Sequence, residues 1–122
     1  MIDKLNQIKA FAFDCDGVMT SGTTQIDAGG NALRTFNIKD GFAVQHAIKQ
    51  GYPVAIISGG NNSGISVRFN TLGVKNTDIY LGQSNKVNAF KAFCNSYNLI
   101  EDDVLYMGDD MPDIPLLKRC GL

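Results

Sequence analysis

The hydrophobic positions of the chain fall into short uninterrupted runs, separated by stretches in which apolar residues recur every three or four positions. Three of the runs, Ala10–Phe13, Val54–Ile57 and Val104–Met107, are each followed at once by Asp, Ser or Gly. Short apolar runs of this kind predict buried strands of a parallel sheet. Their alternation with helical patterns predicts an α/β fold with an open, Rossmann-like parallel sheet.

Helical spacing fills the intervals between the predicted strands. Two of the patterns end before Gly51 and Gly73, in keeping with the preference for glycine just after a helix, and the third begins at Lys86. The apolar residues that define the three helices are Phe42, Val44, Ala47 and Ile48, then Ile65, Phe69 and Leu72, then Val87, Phe90, Phe93, Cys94 and Tyr97.

A predicted β-hairpin interrupts the alternation directly after the first strand. Residues 23–27 and 32–36 flank Ala28-Gly29-Gly30-Asn31, a sequence rich in residues that tolerate positive φ. Because no insertion is large enough to form a cap domain, this hairpin or another subunit must supply any lid over a site near Asp14. The ribbon carries Ile26, Leu33 and Phe36, which favour pairing with equivalent ribbons in a homo-oligomer.

Length, charge and cysteine content narrow the class of protein. The 122 residues fit a single domain, 1–122, and eleven basic residues balance twelve acidic ones without forming a basic cluster. We therefore expect small-molecule or self-association partners, with no nucleic acid and no membrane. The three cysteines have no zinc or disulfide spacing, and the polar first residues do not resemble a signal peptide, so the sequence predicts a cytoplasmic protein.

Two carboxylates stand two residues apart where the first strand ends. In Asp14-Cys15-Asp16-Gly17, extended geometry would direct both acidic side chains to one side. Two close carboxylates resist joint ionisation and need a cation or a shared proton, and Mg²⁺ meets that need with oxygen ligands. Taken alone, the pair is better explained as a strand end or a turn cap.

Matching features at later strand ends favour the functional interpretation. The third strand leads into Asp109 and Asp110, with Asp113 one helical turn further on. Ser58 and the backbone N–H of Gly59 follow the second strand and suit a phosphate oxyanion. Lys86 could bring a point charge to the same pocket. Ligands of open α/β sheets bind beyond the carboxyl ends of the strands, where these residues fall.

The motifs resemble those of a known family. DCDGVMT, ISG, Lys86 after GQSN, and GDDMPD are similar, in order and separation, to the four motifs of the haloacid dehalogenase (HAD) superfamily of phosphohydrolases. The hairpin, FNIKDG and LGQSNK resemble its capless branch, which contains 3-deoxy-D-manno-octulosonate 8-phosphate and acylneuraminate 9-phosphate phosphatases. The likeness runs from about Ile8 to Leu122. It implies a HAD-like fold, a homotetramer assembled through the hairpin, and a role in lipopolysaccharide biosynthesis.

The resemblance also implies a role for each motif residue. Asp14 would attack phosphorus and form an aspartyl-phosphate, and Asp16 would act as acid and base. Asp14, the Asp16 carbonyl and Asp109 would hold Mg²⁺, and Asp113 would hold a water bound to the ion or Lys86. Ser58, the Gly59 N–H and Lys86 would surround the phosphoryl oxygens. Further residues match positions that line the family's substrate pocket: Phe36, Asn37, Lys39, Asp40 and Arg68.

Three departures from the family pattern concern the substrate and the chain end. Gly60 stands where many relatives have Arg, and Gln45 lies near a second such position, so a sugar-acid carboxylate has fewer bidentate partners here. Relatives continue past Leu122 into another strand and a tail, so we expect this chain to lack that strand and tail.

Two other classes of protein share some of these features. A receiver-type signalling domain also groups acids, a hydroxyl and a lysine around a phosphorylatable Asp, but its acceptor follows a middle strand of the sequence rather than the first. An inactive interaction domain could keep the fold without the activity. The intact set of Asp14, Asp16, Lys86 and Asp109 favours the phosphatase.

Overall fold

A parallel sheet of four strands forms the centre of the molecule. The structure is a computed structural model, and it describes residues 2–15, 18–19, 25–26, 28–29, 32–33, 36–61, 63–108 and 113–122. The sheet contains β1 (Ala10–Phe13), β4 (Val54–Ile57), β5 (Ile79–Tyr80) and β6 (Val104–Met107) in the order β5-β4-β1-β6. All neighbouring pairs are parallel, so the carboxyl ends of β1 and its partners β4 and β6 share one edge.

The helices that the structure describes are α1 (Ile2–Gln7), α2 (Ile38–Lys49), α3 (Ser63–Leu72), α4 (Lys86–Ser96) and α5 (Ile114–Leu117), with short 3₁₀ turns at Asn76–Asp78 and Glu101–Asp103. Three of the helices, α2, α3 and α4, are those that the sequence predicts, whereas α1 and α5 were not predicted. The α/β class and the three longer strands are confirmed residue for residue. The sequence missed β5, because a strand of two residues leaves no periodic signal.

The predicted hairpin is present as a separate two-stranded ribbon. Strands β2 (Gln25–Ile26) and β3 (Ala32–Leu33) pair antiparallel, with Gln25 opposite Leu33 and Ile26 opposite Ala32. Ala28 and Gly29 lie in the turn between them. The other residues between 23 and 35 lie outside the described part of the chain, so the full extent of the predicted hairpin is not defined by the structure.

The hydrophobic core lies in two layers, one on each face of the sheet. Alternation along β1 sends Ala10 and Ala12 to one layer and Phe11 and Phe13 to the other. The first layer packs against α4 and α5, and the second against α2 and α3. The largest fully buried side chains are Phe90 and Phe93 in the first layer and Phe69 in the second; truncating any of these to Ala would cost about 3–5 kcal/mol.

One residue of the predicted helical core faces the other way. Phe42 was expected to join Val44, Ala47 and Ile48, but it is 69% exposed, as is Ile38 at 83%. Residues 42 and 44 are two positions apart, which places them on nearly opposite sides of a helix. Since Val44 faces the sheet, Phe42 points outward, and α2 presents two exposed apolar side chains.

The length and composition of the helices also decide whether any of them could span a membrane. None of the helices in the described part of the chain has the length and apolar composition needed to cross a bilayer.

Candidate active site

Four buried polar residues meet at the carboxyl edge of the sheet. Asp14 follows β1 and Ser58 follows β4, while Lys86 begins α4 and Asp113 stands just before α5. Each is at most 6% exposed. Polar groups in such a setting must be paired, because burying an unpaired charge is costly. The sheet topology therefore brings together residues from four separate parts of the sequence.

Lys86 joins two carboxylates. Its Nζ lies 2.7 Å from Oδ1 of Asp113 and 3.1 Å from Oδ1 of Asp14. Burial alone would lower the pKa of the Lys86 ammonium, but the hydrogen bonds and negative charges of Asp113 and Asp14 outweigh it and raise that pKa. Lys86 is therefore a fixed positive charge, and the cluster of these three side chains holds more carboxylate than ammonium.

Asp14 lies buried directly after β1, an interior strand of the sheet. Its Oδ1 also accepts a hydrogen bond of 2.8 Å from the backbone N–H of Cys15. Burial raises the pKa of Asp14 to about 6, against the lowering effect of Lys86, and the nearby charge of Asp113 adds to the rise. Oδ2 accepts no hydrogen bond from any residue that the structure describes, so it is the oxygen that can serve as a nucleophile or a metal ligand.

Asp113 is held from two further directions. Its Oδ1 accepts a hydrogen bond of 2.5 Å from the hydroxyl of Tyr106, which projects from β6. On another side the carboxyl lies against the backbone of Gly108. A Cβ placed on Gly108 would come within 2.4 Å of Asp113 Cγ and 2.6 Å of its Oδ2. Only glycine leaves room for Asp113 at this point.

Replacing Gly108 by Ala should therefore destabilise the protein. The added methyl group would force Asp113 away from Lys86, and overpacking of this kind costs about 1–3 kcal/mol. Chemical denaturation of Gly108→Ala measures the loss. Gly59→Ala is the control for stability, because its Cβ would meet only the Gln83 carbonyl, at an ordinary 3.8 Å. Equal unfolding free energies for the two variants would contradict the packing argument.

The loop that carries Ser58 is tied to the loop that leads into α4. The Ser58 N–H donates to Tyr80 O at 2.9 Å, and the Gln83 N–H donates to Ser58 O at 3.0 Å. Ser58 Oγ accepts from the Gly60 N–H at 3.1 Å. The Gly59 N–H donates to none of the described residues. The ISG segment thus lies beside GQSN, the segment that leads to Lys86.

The residues predicted to line a substrate pocket gather at the start of α2. Asn37 caps that helix, with its Oδ1 accepting from the N–H groups of Lys39 and Asp40 at 2.8 and 3.1 Å. Phe36 meets Phe69 edge to face at 5.7 Å. The Lys39 and Asp40 side chains are exposed.

Arg68 joins this group from α3. Its guanidinium lies 5.9 Å from the centroid of the Phe36 ring, within cation–π range. Its Nη2 would stand 2.4 Å from a Cβ on Gly41, so the glycine opens the path that Arg68 takes across α2. Within the described residues, no ion pair or hydrogen bond links Phe36, Asn37, Lys39, Asp40 or Arg68 to the Lys86 cluster, and their role in substrate binding stays a prediction.

Two of the three predicted metal ligands, Asp16 and Asp109, lie outside the described residues. Within the ranges that the structure covers, no group of three or more acidic, histidine or cysteine side chains is arranged to hold a metal ion. Asp14 is thus the one predicted ligand whose surroundings the structure describes.

Tyr106 makes a contact that the sequence motifs do not indicate. Its ring is buried in the core layer against α4 and α5, and its hydroxyl reaches Asp113. In the sequence the residue stands inside the apolar run Val104–Met107. A tyrosine inside a buried strand is itself a signal, because its hydroxyl needs a hydrogen-bond partner.

Fold and site together define a hydrolase class. A central strand delivers a buried carboxylate, and the following strands and helices bring a hydroxyl, a lysine and a second carboxylate to the same edge. The sequence model for haloacid dehalogenase-like hydrolases matches residues 60–122. The chain belongs to that family, as the sequence motifs predicted.

Relatives within the family share a narrower description. The chain is 34% identical to 3-deoxy-D-manno-octulosonate 8-phosphate phosphatase KdsC of Escherichia coli K12, over the whole of this chain and 64% of that protein. The crystal structure of the Yersinia pestis phosphatase of the same name superposes with a TM-score of 0.93 at 34% identity, covering 99% of this chain and 64% of that one.

A third relative was crystallised with ligands. The Moraxella catarrhalis 3-deoxy-D-manno-octulosonate 8-phosphate phosphatase, in complex with a magnesium ion, a phosphate ion and a KDO molecule, has a TM-score of 0.90 at 28% identity. The alignment covers 98% of this chain and 67% of that one. The present chain thus spans just under two thirds of the length of the curated E. coli relative.

Proposed function

We propose that the protein is a Mg²⁺-dependent phosphomonoesterase that hydrolyses 3-deoxy-D-manno-octulosonate 8-phosphate. The observation that carries the proposal is the buried Lys86 ammonium, 3.1 Å from Asp14 Oδ1 at the carboxyl end of the central strand. This geometry places a positive charge beside a carboxylate that can attack phosphorus. The relatives named for this reaction support the choice of substrate.

The proposed reaction divides the hydrolysis into two displacements at phosphorus. In the first, an oxygen of Asp14 attacks in line, the bond from phosphorus to the sugar oxygen breaks, and Asp16 gives that oxygen its proton. In the second, Asp16 takes a proton from a water molecule that attacks the aspartyl-phosphate, releasing inorganic phosphate and regenerating Asp14. Lys86, Ser58 Oγ and the Gly59 N–H would stabilise the charge on the equatorial oxygens.

The charge balance of the site fits a divalent cation. Two buried carboxylates, Asp14 and Asp113, share one ammonium. Burial raises the pKa of Asp14 to about 6, and the charge of Asp113 adds to the rise, so a cation beside Asp14 would favour its ionised form. We propose Asp14, the Asp16 carbonyl and Asp109 as ligands, all hard oxygen donors of the kind Mg²⁺ prefers. The ion would keep Asp14 ionised and neutralise charge on the phosphoryl group. Asp113 would act indirectly, by holding the Lys86 ammonium.

A panel of phosphate esters tests the activity and the substrate together. It comprises 3-deoxy-D-manno-octulosonate 8-phosphate, an acylneuraminate 9-phosphate, neutral hexose phosphates and phosphopeptides, each assayed for phosphate release with Mg²⁺ and with excess chelator. The proposal predicts the highest kcat/KM for the first ester and no turnover in chelator. A hexose phosphate or phosphopeptide in first place would reject the substrate, and full activity in chelator would reject the metal.

The comparison between substrates is informative because this chain lacks arginine at two positions where the family pattern leads us to expect it. Gly60 and Gln45 supply no guanidinium, so Arg68 is the candidate partner for a substrate carboxylate. Its docking against Phe36 limits the freedom of its side chain. An acylneuraminate 9-phosphate, also a sugar acid, is therefore the second candidate substrate.

We also propose a cytoplasmic homotetramer in which residues 1–122 form one domain. The ribbon of β2 and β3 forms its own two-stranded sheet, and such ribbons are marginal alone in water. The exposed apolar side chains of Ile38 and Phe42 follow it directly on α2. In the described residues Cys15, Cys94 and Cys120 form no disulfide, which suits a reducing compartment.

Leu33→Asp tests the role of the ribbon in assembly. A charge on this strand should oppose pairing between ribbons, so we expect a smaller particle by light scattering coupled to size exclusion, together with a lower kcat/KM. Ala28→Asp, in the exposed turn of the same ribbon, is the matched control and should leave both unchanged. A wild-type monomer with full activity would reject the assembly.

A further inference from the structure

Tyr106 ends a chain of contacts that leads to the proposed nucleophile. Its hydroxyl lies 2.5 Å from Asp113 Oδ1, and the same oxygen lies 2.7 Å from Lys86 Nζ, which in turn lies 3.1 Å from Asp14 Oδ1. A distance of 2.5 Å is typical of a hydroxyl that donates to an ionised carboxylate. Tyr106 and Lys86 therefore donate to the same oxygen atom.

Because both groups donate to Asp113 Oδ1, the Tyr106 hydroxyl influences where the Lys86 ammonium lies. With the Tyr106 hydroxyl in place, Oδ1 of Asp113 is partly satisfied and attracts Lys86 less strongly. On its other side the carboxyl occupies the space that a side chain at Gly108 would fill. The ring of Tyr106 is itself fixed by the core layer, since the residue is only 4% exposed. A rigid donor thus sets the position of Asp113, and Asp113 sets the position of Lys86.

We propose that Tyr106 is a positioning residue that keeps the Lys86 ammonium between Asp113 and Asp14. The proposal rests on the phosphatase function proposed above and adds a residue to it. Without the hydroxyl, Asp113 Oδ1 would draw Lys86 towards itself and away from the phosphoryl group. Charge stabilisation of the transition state depends on such positions more steeply than substrate binding does.

The chain offers a matched control for this hydroxyl. Tyr97 also packs against the core layer of α4, and its hydroxyl donates to Asp78 Oδ2 in an equally short bond. Asp78 lies before β5, at the opposite edge of the sheet from Asp14. Tyr97→Phe therefore removes the same group from the same type of bond, far from the site.

The first experiment compares Tyr106→Phe with Tyr97→Phe in steady-state assays and thermal unfolding. We expect Tyr106→Phe to lower kcat about tenfold to a hundredfold, as displacement of a catalytic charge by part of an ångström does. KM should stay within about twofold of the wild-type value, because interactions that bind the substrate and the transition state equally are not affected. Tyr97→Phe should leave both constants unchanged at a comparable loss of Tm. Wild-type kcat in Tyr106→Phe, or an equal loss in both variants, would overturn the proposal.

A second measurement separates this proposal from the phosphatase function. The side-chain ammonium resonance of Lys86 can be followed by NMR in protein labelled with ¹⁵N-lysine and assigned with Lys86→Arg. It should shift in Tyr106→Phe and stay in place in Tyr97→Phe. An unmoved resonance in Tyr106→Phe rejects the positioning role even if the enzyme is active. A shifted resonance in a chain that releases no phosphate leaves the link between Tyr106 and Lys86 standing and rejects the function instead.

Discussion

Asp14→Asn is expected to abolish phosphate release, by at least about 10⁴-fold in kcat, because loss of a nucleophile removes the covalent route altogether. An amide oxygen is a poor nucleophile and cannot form the aspartyl-phosphate. The shape of the side chain is unchanged, and its oxygen can still accept the hydrogen bond from the Cys15 N–H. The variant should therefore fold as the wild type does.

Phosphate release and circular dichroism of the same preparations check both parts of this prediction. Asp102→Asn is the matched control, because Asp102 is exposed and stands before β6, at the other edge of the sheet. Its contact with Lys4, at 3.5 Å on the surface, adds little to stability. Turnover by well-folded Asp14→Asn near the level of Asp102→Asn would refute Asp14 as the nucleophile.

Lys86→Met is expected to cost both stability and activity. Methionine fills a similar volume but leaves Asp14 and Asp113 buried without their shared cation. Breaking a buried ion pair by removing one partner costs about 3–5 kcal/mol, much more than an exposed pair would. Turnover should also fall steeply, because the phosphoryl oxygens lose their nearest fixed positive charge.

The stability loss in Lys86→Met should depend on pH in a defined direction. Without the ammonium, the pKa of Asp14, already raised to about 6 by burial, rises further. A carboxyl whose pKa is higher in the folded than in the unfolded state takes up protons on folding, so its penalty is greatest above the folded pKa and fades as the pH falls through it. The difference in unfolding free energy between Lys86→Met and the wild type should therefore become smaller as the pH falls from 8 to 5.

Denaturation at several pH values, without added metal, measures this difference. Lys91→Met is the control, because Lys91 lies on the exposed side of the same helix, α4. It should show a small change in unfolding free energy at every pH. A difference between Lys86→Met and wild type that stays constant, or grows as the pH falls, would show that the two carboxylates do not depend on Lys86 for their charge.

The three strands with uninterrupted apolar runs were the most predictable part of the fold. Each of β1, β4 and β6 is an apolar run of four residues that ends at a polar residue or a glycine, which marks both its type and its limits. Strand β5 has only two residues, and its place in the sheet comes from pairing with β4, which lies far away in the sequence. The error at Phe42 has a different origin. Phe42 was assigned to the core because it is apolar, without regard to its position around the helix axis.

The contacts within the site were less accessible to sequence reasoning. The motifs indicated Asp14, Ser58, Lys86 and Asp113 as members of one site, and the structure places all four at one edge of the sheet. That Lys86 bridges two carboxylates, and that Tyr106 shares an oxygen with it, depends on side-chain directions across different elements. No spacing along the chain encodes these directions.

The pairing of β1 with both β4 and β6 has a consequence for when the proposed active site forms during folding. The strand that carries Asp14 is made first, yet one of its two neighbours comes from the last part of the chain described here. Such distant pairings close large loops and are slow to form. The cluster around Lys86 can exist only after that closure. Enzyme activity should therefore lag behind helix formation during refolding, and it reports completion of the whole sheet.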